Sequence, residues 1–309
     1  MTVPVKYMNA IVFDRFGGPD VLHESEVSVP EPGPGQVRFQ VRAAGVNPID
    51  GKLRQGLLEA MFPLELPAIP GFEAAGTVDA VGVGVTGLAV GDEVFGWTEI
   101  GAYAEYAVGS RLFLKPAGLS WEAAAALPIA GETSERVLDQ LAVGAGDTLL
   151  IHGASGAVGT LAVQLAVRRG ATVVGTASEA NHRYLTALGA VPTTYGDGLV
   201  ERVRALAPNG IDAVFDVAGH DALPDSVELR RGTSRIVTIA DIAGAQLHGV
   251  MMSAAGSARI EPDMPGLAAL AASGELEITL GATYALAEAA AAQTTVDAGH
   301  ARGKVVILV

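Results

Sequence analysis

Gly153, Gly156 and Gly159 stand three residues apart in the stretch His152-Gly153-Ala154-Ser155-Gly156-Ala157-Val158-Gly159. Glycines at that spacing can carry a phosphate. Lacking side chains, they let the backbone turn tightly and approach a pyrophosphate, which then meets free N–H groups and the positive dipole end of a helix. The chemistry needs a strand before the turn and a helix after it. Residues 148–151 supply the first, a short β-branched and apolar run between glycine-rich turns. Val158, Leu161, Ala162, Leu165 and Ala166 recur at helical spacing, and Arg168, Arg169 and Gly170 end the helix. A second strand follows over 171–177. The stretch 147–170 is thus read as a dinucleotide site, and the rest of the chain is organised around it.

The elements that position this site differ on its two sides. Upstream, residues 10–13, 36–43, 74–81 and 93–95 are strand-like runs separated by Pro and Gly clusters. In one of them Val37, Phe39 and Val41 alternate with Arg38, Gln40 and Arg42, the pattern of a strand with one wet face. This part is expected to form a partly open antiparallel barrel. Ser120 is an N-cap candidate for a helix over 121–126; Pro128 is expected to interrupt it, with a second helix over 134–141. Downstream, 212–217 and 234–240 read as buried strands among helical stretches, which implies a parallel, doubly wound sheet. Residues 265–273 and 286–298 read as helices, and 277–280 and 304–309 as strands.

Composition narrows the function. With 309 residues, the chain has room for about two domains. Its 34 acidic against 20 basic residues, a formal charge of −14 without a basic block, disfavour nucleic acid and anionic membranes as partners. No cysteine is present, so thiolate zinc sites, disulfides and cysteine nucleophiles are excluded. Apolar stretches are too interrupted for a transmembrane helix, and residues 1–10 lack a signal-peptide pattern; a cytoplasmic protein is expected.

Six stretches in order carry a family likeness. They are Gly45-Val46-Asn47-Pro48-Ile49-Asp50, Pro70-Gly71-Phe72-Glu73-Ala74-Ala75-Gly76, Gly91-Asp92-Glu93-Val94, Gly101-Ala102-Tyr103-Ala104-Glu105-Tyr106, the glycine turn, and Ala301-Arg302-Gly303-Lys304-Val305-Val306. The sequence resembles the medium-chain dehydrogenase/reductase superfamily, in its zinc-independent quinone oxidoreductase (zeta-crystallin-like) branch. The resemblance implies an α/β fold: a GroES-like, partly open β-barrel catalytic domain from residues 1–120 and 266–309, around a doubly wound (Rossmann) domain over 121–265. It also implies a cleft in which a nicotinamide meets its substrate. Zinc-using relatives have a cysteine where this chain has Asn47 and a histidine where it has Phe72. Asp50 and Glu73 remain as oxygen donors, and two carboxylates alone rarely hold catalytic zinc. No metal is expected.

The cofactor is expected to be NADPH, with NADH not excluded. In NAD enzymes an acidic residue ends the second strand and contacts the ribose 2′-hydroxyl. Here Ala177 and Ser178 stand there, leaving room for a 2′-phosphate. Relatives supply basic residues next, whereas this chain has Glu179 and Ala180, so Arg183 with Tyr195 is the candidate replacement. Ser155, Gly156, Ala157 and Val158 are expected to cradle the pyrophosphate. Val217, Ala218, Ile239 and Ala240, at strand ends, line the groove. By resemblance, Asn47 and Thr133 sit by the nicotinamide. His152, inside a strand, reads as a structural histidine.

The expected reaction is hydride transfer to a quinone or an activated alkene. Such substrates delocalise the charge that hydride adds, so a positioned hydrogen bond suffices. Asn47 and Asp50 are the candidates at the reacting end. Asp50 can donate a proton only if its pKa is raised. Glu132 and Glu135 flank Thr133 where relatives are apolar; they read either as solvated charges at the N-terminus of the helix over 134–141, paired with Arg136, or, Glu135 above all, as an acidic group in the pocket. Alternatives are a biosynthetic tailoring enzyme and a non-redox cofactor-binding protein. A homodimer is expected, formed through an edge strand over 257–260.

Overall fold

A computed structural model describes residues 6–99, 101–254, 257, 261–299 and 301–309. The chain runs through β1 (Tyr7–Val12), β2 (His23–Ser28), β3 (Val37–Val46), α1 (Pro48–Arg54), β4 (Glu73–Val81), β5 (Glu93–Trp97), β6 (Tyr106–Gly109), β7 (Leu112–Leu114) and α2 (Trp121–Gln140). An alternating series follows: β8 (Thr148–His152), α3 (Ala157–Arg168), β9 (Thr172–Thr176), α4 (His182–Ala187), β10 (Val191–Thr193) and α5 (Leu199–Leu206). It continues with β11 (Ala213–Asp216), α6 (Ala222–Arg230), β12 (Ile236–Thr238), α7 (Ile242–His248) and β13 (Met251–Met252). The last elements are α8 (Met264–Ala272), β14 (Leu280–Ala285), α9 (Ala289–Asp297) and β15 (Lys304–Leu308). Two compact units result, one from Met1–Pro128 with Met264–Val309, the other from Ile129–Asp263.

In the second unit six parallel strands lie in the order β10-β9-β8-β11-β12-β13. This is a doubly wound sheet, and the strand order reverses between β8 and β11, where such folds bind ligands. Leu149, Leu150, Ile151, Val214 and Phe215 have no exposed surface. A sheet covered on both faces has no wet side, so its strands are continuous apolar runs without alternation.

The first unit is a GroES-like, partly open sheet in the order β14-β15-β3-β4-β5-β7, with β6 also on β3. Pairing is antiparallel except between β14 and β15. Ten-residue β3 pairs with β6 through Val37–Gln40 and with β15 through Ala43–Val46, while β4 runs along its other edge through two register shifts. Shifts of this kind bend a strand. Val37, Phe39 and Val41 are buried as expected, but Arg38 is buried too, beneath Asp79 and Glu31.

Several expected elements are corrected. Pro128 does not break α2. The proline removes one hydrogen bond of the ladder, but Ala124, Ala125, Ala126, Leu127 and Ala130 around it are buried, and tertiary packing holds the helix together. Glu132 and Glu135 are therefore mid-helix and gain nothing from a helix N-terminus. Ser120 does cap α2, its Oγ accepting from Ala123 N at 3.2 Å. The strand expected over 277–280 begins instead at Leu280, and its mostly exposed residues lack an apolar alternation. The helix expected from 286 opens with a 3₁₀ turn, Leu286–Glu288, before α9. Strand β2, mostly polar and exposed, gave no period-two signal at all. The run 258–260 of the expected edge strand lies outside the described residues; β13 ends the described sheet.

Gly159 decides how closely α3 meets the turn. A Cβ there would run into the Gly153 carbonyl oxygen and lie 2.7 Å from Ala154 Cα. Glycine-to-alanine in a helix gains about 0.5–1 kcal/mol, whereas overpacking against backbone costs about 1–3 kcal/mol. The clash wins, so Gly159→Ala should lower the urea midpoint of unfolding; an unchanged or higher midpoint would show that the turn yields freely.

Candidate functional site

The glycine turn joins β8 to α3. Gly153 has φ +74°, in the left-handed region that suits glycine. Gly156 caps α3 in extended conformation, with no side-chain cap and no acidic residue in the first helical turn. No side chain therefore competes for the first N–H groups of α3. A Cβ on Gly156 would meet only the Gly153 carbonyl oxygen, at 3.6 Å, so the backbone here is open to close approach. Ser155, Gly156, Ala157 and Val158 are all partly exposed. These features fit a pyrophosphate.

The end of β9 adds a residue that sequence reasoning missed. Asn181 Nδ2 donates to Ser155 Oγ at 3.3 Å and to Ser178 Oγ at 3.2 Å, linking the glycine turn to the end of β9. Arg183 is exposed on α4, and Tyr195 is 60% exposed on the loop before α5. Carbonyls of that loop, Thr194 and Asp197 among them, accept from Arg202.

At the switch point a second unanticipated residue orders the strand ends. Buried Asp216 accepts from Ala218 N at 3.0 Å, Gly219 N at 2.9 Å and Thr238 Oγ1 at 2.7 Å. Thr238 Oγ1 in turn accepts from Ala240 N and Asp241 N. One carboxyl group, its pKa raised by burial, thereby fixes the backbone at Ala218 and Gly219 directly and at Ala240 and Asp241 through Thr238. The sequence signal was an acidic residue inside an apolar strand. His152 is structural: its Nε2 lies 3.0 Å from Ser226 Oγ, whose proton goes to the Ala222 carbonyl. Burial lowers its pKa to about 4, so the ring is neutral.

Thr133 and its neighbours form a buried polar cluster on α2. Arg136 Nε donates to Glu132 Oε1 at 2.7 Å, Nη2 to Glu132 Oε2 and Thr133 Oγ1, and Nη1 to Ser253 Oγ beyond β13. Ser134 Oγ donates to the Val158 carbonyl at 3.0 Å, which ties α2 to the first turn of α3. Glu132 is thus committed to Arg136. Glu135 is half-buried, accepts from Asp263 N at 3.1 Å, and has its pKa raised by burial.

In the first unit Asn47, Asp50, Glu73, Tyr103 and Lys304 meet in one network. Asn47 caps α1 and Pro48 follows at its first position, where the missing N–H costs nothing. Asp50 Oδ2 accepts from Asn47 N at 2.9 Å and Tyr103 OH at 2.7 Å, while its buried Oδ1 has no partner. Burial pushes its pKa up to about 7. The Asn47 side chain turns away: Nδ2 donates to Glu73 Oε1 at 2.8 Å, and Oδ1 accepts from Lys304 Nζ at 2.6 Å. Lys304 also pairs with Glu73 Oε1. Gly45 makes room, since a Cβ there would strike that oxygen and lie 2.8 Å from the Ala125 carbonyl.

This donor set does not fit zinc. Glu73 is already engaged by an ammonium, and among the described residues no three His, Cys, Asp or Glu side chains gather around a point. Phe72 supplies no ligand.

The alcohol dehydrogenase GroES-like domain family matches residues 33–117, and the zinc-binding dehydrogenase family matches 188–307. The chain is 30% identical to a quinone oxidoreductase of Sus scrofa over 100% of both chains. It is 39% identical to a chloroplastic NADPH-dependent alkenal/one oxidoreductase of Arabidopsis thaliana, over 69% of this chain and 58% of that one. The structure of Escherichia coli quinone oxidoreductase complexed with NADPH aligns with a TM-score of 0.84 and 25% identity, covering 97% of this chain and 100% of that one. With that likeness along its full length, the chain belongs to the zinc-independent quinone oxidoreductase branch of the medium-chain dehydrogenase/reductase superfamily.

Proposed function

We propose that the protein is an NADPH-dependent reductase that delivers hydride to a quinone or to the alkene of an enone. The observation that carries this reading is the Asn47–Glu73–Lys304 network, which offers hydrogen bonds where a Lewis acid would otherwise act. A simple ketone needs stronger activation. Quinones and enones spread the incoming charge over a conjugated system, and a positioned N–H is enough to stabilise it. When bound, NADPH supplies the hydride. The electron pair it brings ends on the substrate oxygen, which Asn47 stabilises by hydrogen bonding, and a proton then completes the hydroquinone or the saturated ketone. Asp50, whose Oδ2 holds the Asn47 backbone N–H, acts as a positioning residue for this amide. Thr133 and the groove residues Val217, Ala218, Ile239 and Ala240 hold the nicotinamide half, and the first turn of α3 binds the pyrophosphate.

The cofactor preference rests on the end of β9, where Ala177 and Ser178 stand at the place an NAD enzyme gives to an acidic residue, with the exposed Glu179 one position further on. Arg183 and Tyr195 are the candidates to approach a 2′-phosphate. Titration with both nicotinamides should give the tighter Kd for NADPH, followed by NADPH oxidation with some member of a quinone and enone panel. NADH binding as tightly would overturn the phosphate assignment. Tight NADPH binding without turnover on the whole panel would favour a tailoring enzyme on the same fold.

Glu135 is the remaining candidate for an acidic group at the pocket, since Glu132 is neutralised by Arg136. Glu135→Gln should shift the pH profile of kcat/KM for the best substrate. An unaltered profile would make this carboxyl a structural acceptor for Asp263 N.

Asp50 gives a pH test independent of turnover. A free Asp titrates near ~3.9, whereas here burial raises the group to about 7. The folded state holds the proton more tightly than the unfolded chain, so the stabilisation is complete below about pH 4 and lost as pH climbs through about 7. Asp50→Asn should flatten this slope, read from urea midpoints taken between those two values. Equal slopes would place the linkage elsewhere.

A further inference from the structure

Asn47 has more surface than any other member of the first-unit network, 6% exposed against 3% for Lys304, 1% for Asp50 and 0% for Glu73 and Tyr103. The amide is held on two sides by groups of opposite hydrogen-bonding sense. The Lys304 ammonium has donors only, and the Glu73 carboxylate accepts. Turning the amide over would set NH₂ against the ammonium and C=O against the carboxylate, replacing two attractive contacts by two repulsive ones. Chemistry therefore fixes which terminal atom is oxygen and which is nitrogen.

We infer that Lys304 is a positioning residue that makes Asn47 present N–H rather than C=O to a ligand: Oδ1 faces the ammonium, one Nδ2 hydrogen faces Glu73, and the second Nδ2 hydrogen is left to give. The ligand class follows from this. The group bound at Asn47 is an acceptor oxygen, and an oxyanion is bound more strongly than a neutral carbonyl. In the reduction proposed above, on which the catalytic meaning of this inference rests, that atom is the quinone or enone oxygen that gains charge as hydride arrives. Lys304 carries no proton to the substrate and makes no contact with it. Its effect passes through the amide.

Lys304→Met alone leaves the buried Glu73 carboxylate without this cation, so it serves only as a folding control. The informative variant is Lys304→Met with Glu73→Gln, which keeps the formal charge of the protein and removes the clamp as a unit. Lys304→Arg keeps a cation with donors only. The probe is p-nitrophenolate, an oxyanion whose visible absorbance reports its ionised form, titrated into cofactor-free protein.

Wild type and Lys304→Arg should bind the phenolate and lower its apparent pKa. The double variant should bind it at least about tenfold more weakly, and Asn47→Leu should abolish binding. With cofactor and substrate, the double variant should lose about tenfold or more in kcat, with the NADPH Kd within about twofold of wild type. Phenolate binding by the folded double variant within about twofold of wild type would overturn the inference, as would a wild type that does not bind the probe or an Asn47→Leu protein that binds it unchanged. A wild type that binds the phenolate but reduces no quinone or enone refutes the reductase reading alone, because the phenolate comparison still decides the clamp.

Discussion

The buried ammonium of Lys304 is the constraint from which the rest of the first unit follows. Taking an ammonium and a carboxylate out of water costs several kcal/mol per ion, and the loss is recovered only when geometry and hydrogen bonding are complete. Here Lys304 faces Glu73 and Asn47 together, and Glu73 accepts from both. The two partners stand 231 and 257 residues away in sequence from the lysine. The first strand-and-helix connection of the chain is therefore complete only when its last strand has been laid beside β3. A second buried cation repeats the device. Arg54, wholly buried at the end of α1, donates to Asp297 at 2.8 Å, to Gln293 at 2.5 Å and to the Gly17 carbonyl. Helix α1 thus begins at a residue held by β15 and ends at a residue held by α9. Seven residues of helix could not keep this geometry by themselves, since isolated helices of that length are marginal in water.

The second unit solves a similar problem with backbone groups. Its ligand edge consists of loops, and loops need their polar groups satisfied. Asp216 and Thr238 do this for the ends of β11 and β12, and Asn181 does it between the phosphate turn and the end of β9. The positions proposed to line the groove carry small or apolar side chains, Ala218, Ile239 and Ala240 among them. Rigid positions and recognition surface are thus divided between different residues. The first turn of α3 goes further and offers only N–H groups, so its shape depends on glycines packed against backbone.

What could be read from the sequence follows this division. The glycine turn, β8, β9 and α3 are local patterns, and their bounds shifted by a residue or two at most. Strands β11 and β12 were legible because burial on both faces removes polar residues. Asn47 and Asp50 were legible as chemistry-bearing types, but their partners Lys304 and Tyr103 were visible only as members of family-like stretches. Hydrogen bonds across hundreds of residues leave no period in a sequence. The same holds for the link of Arg136 to Ser253, which spans 117 residues, whereas its pairing with Glu132, four residues away on the same helix, was legible. Pro128 failed as a helix breaker for a related reason, because propensity is a weak term beside the packing of a buried helix.

The deep charges of this protein also limit what a ligand can feel. Among the described residues Lys304 is matched by Glu73, Arg54 by Asp297, Arg136 by Glu132 and Arg38 by Asp79 and Glu31. Paired charges a hydrogen bond apart largely cancel at a distance, so the formal charge of −14 is not projected by these interior groups. What remains at Asn47, beside the Asp50 carboxyl, is an oriented amide, and the start of α3 offers a row of backbone N–H groups. Dipoles of this kind bind a neutral planar ring weakly and a forming oxyanion well, because their orientation is fixed before charge appears. A fixed cation would instead favour a substrate that is anionic from the start. The pairing of these buried cations suits the proposed quinone or enone, a neutral acceptor, better than a carboxylate or phosphate substrate.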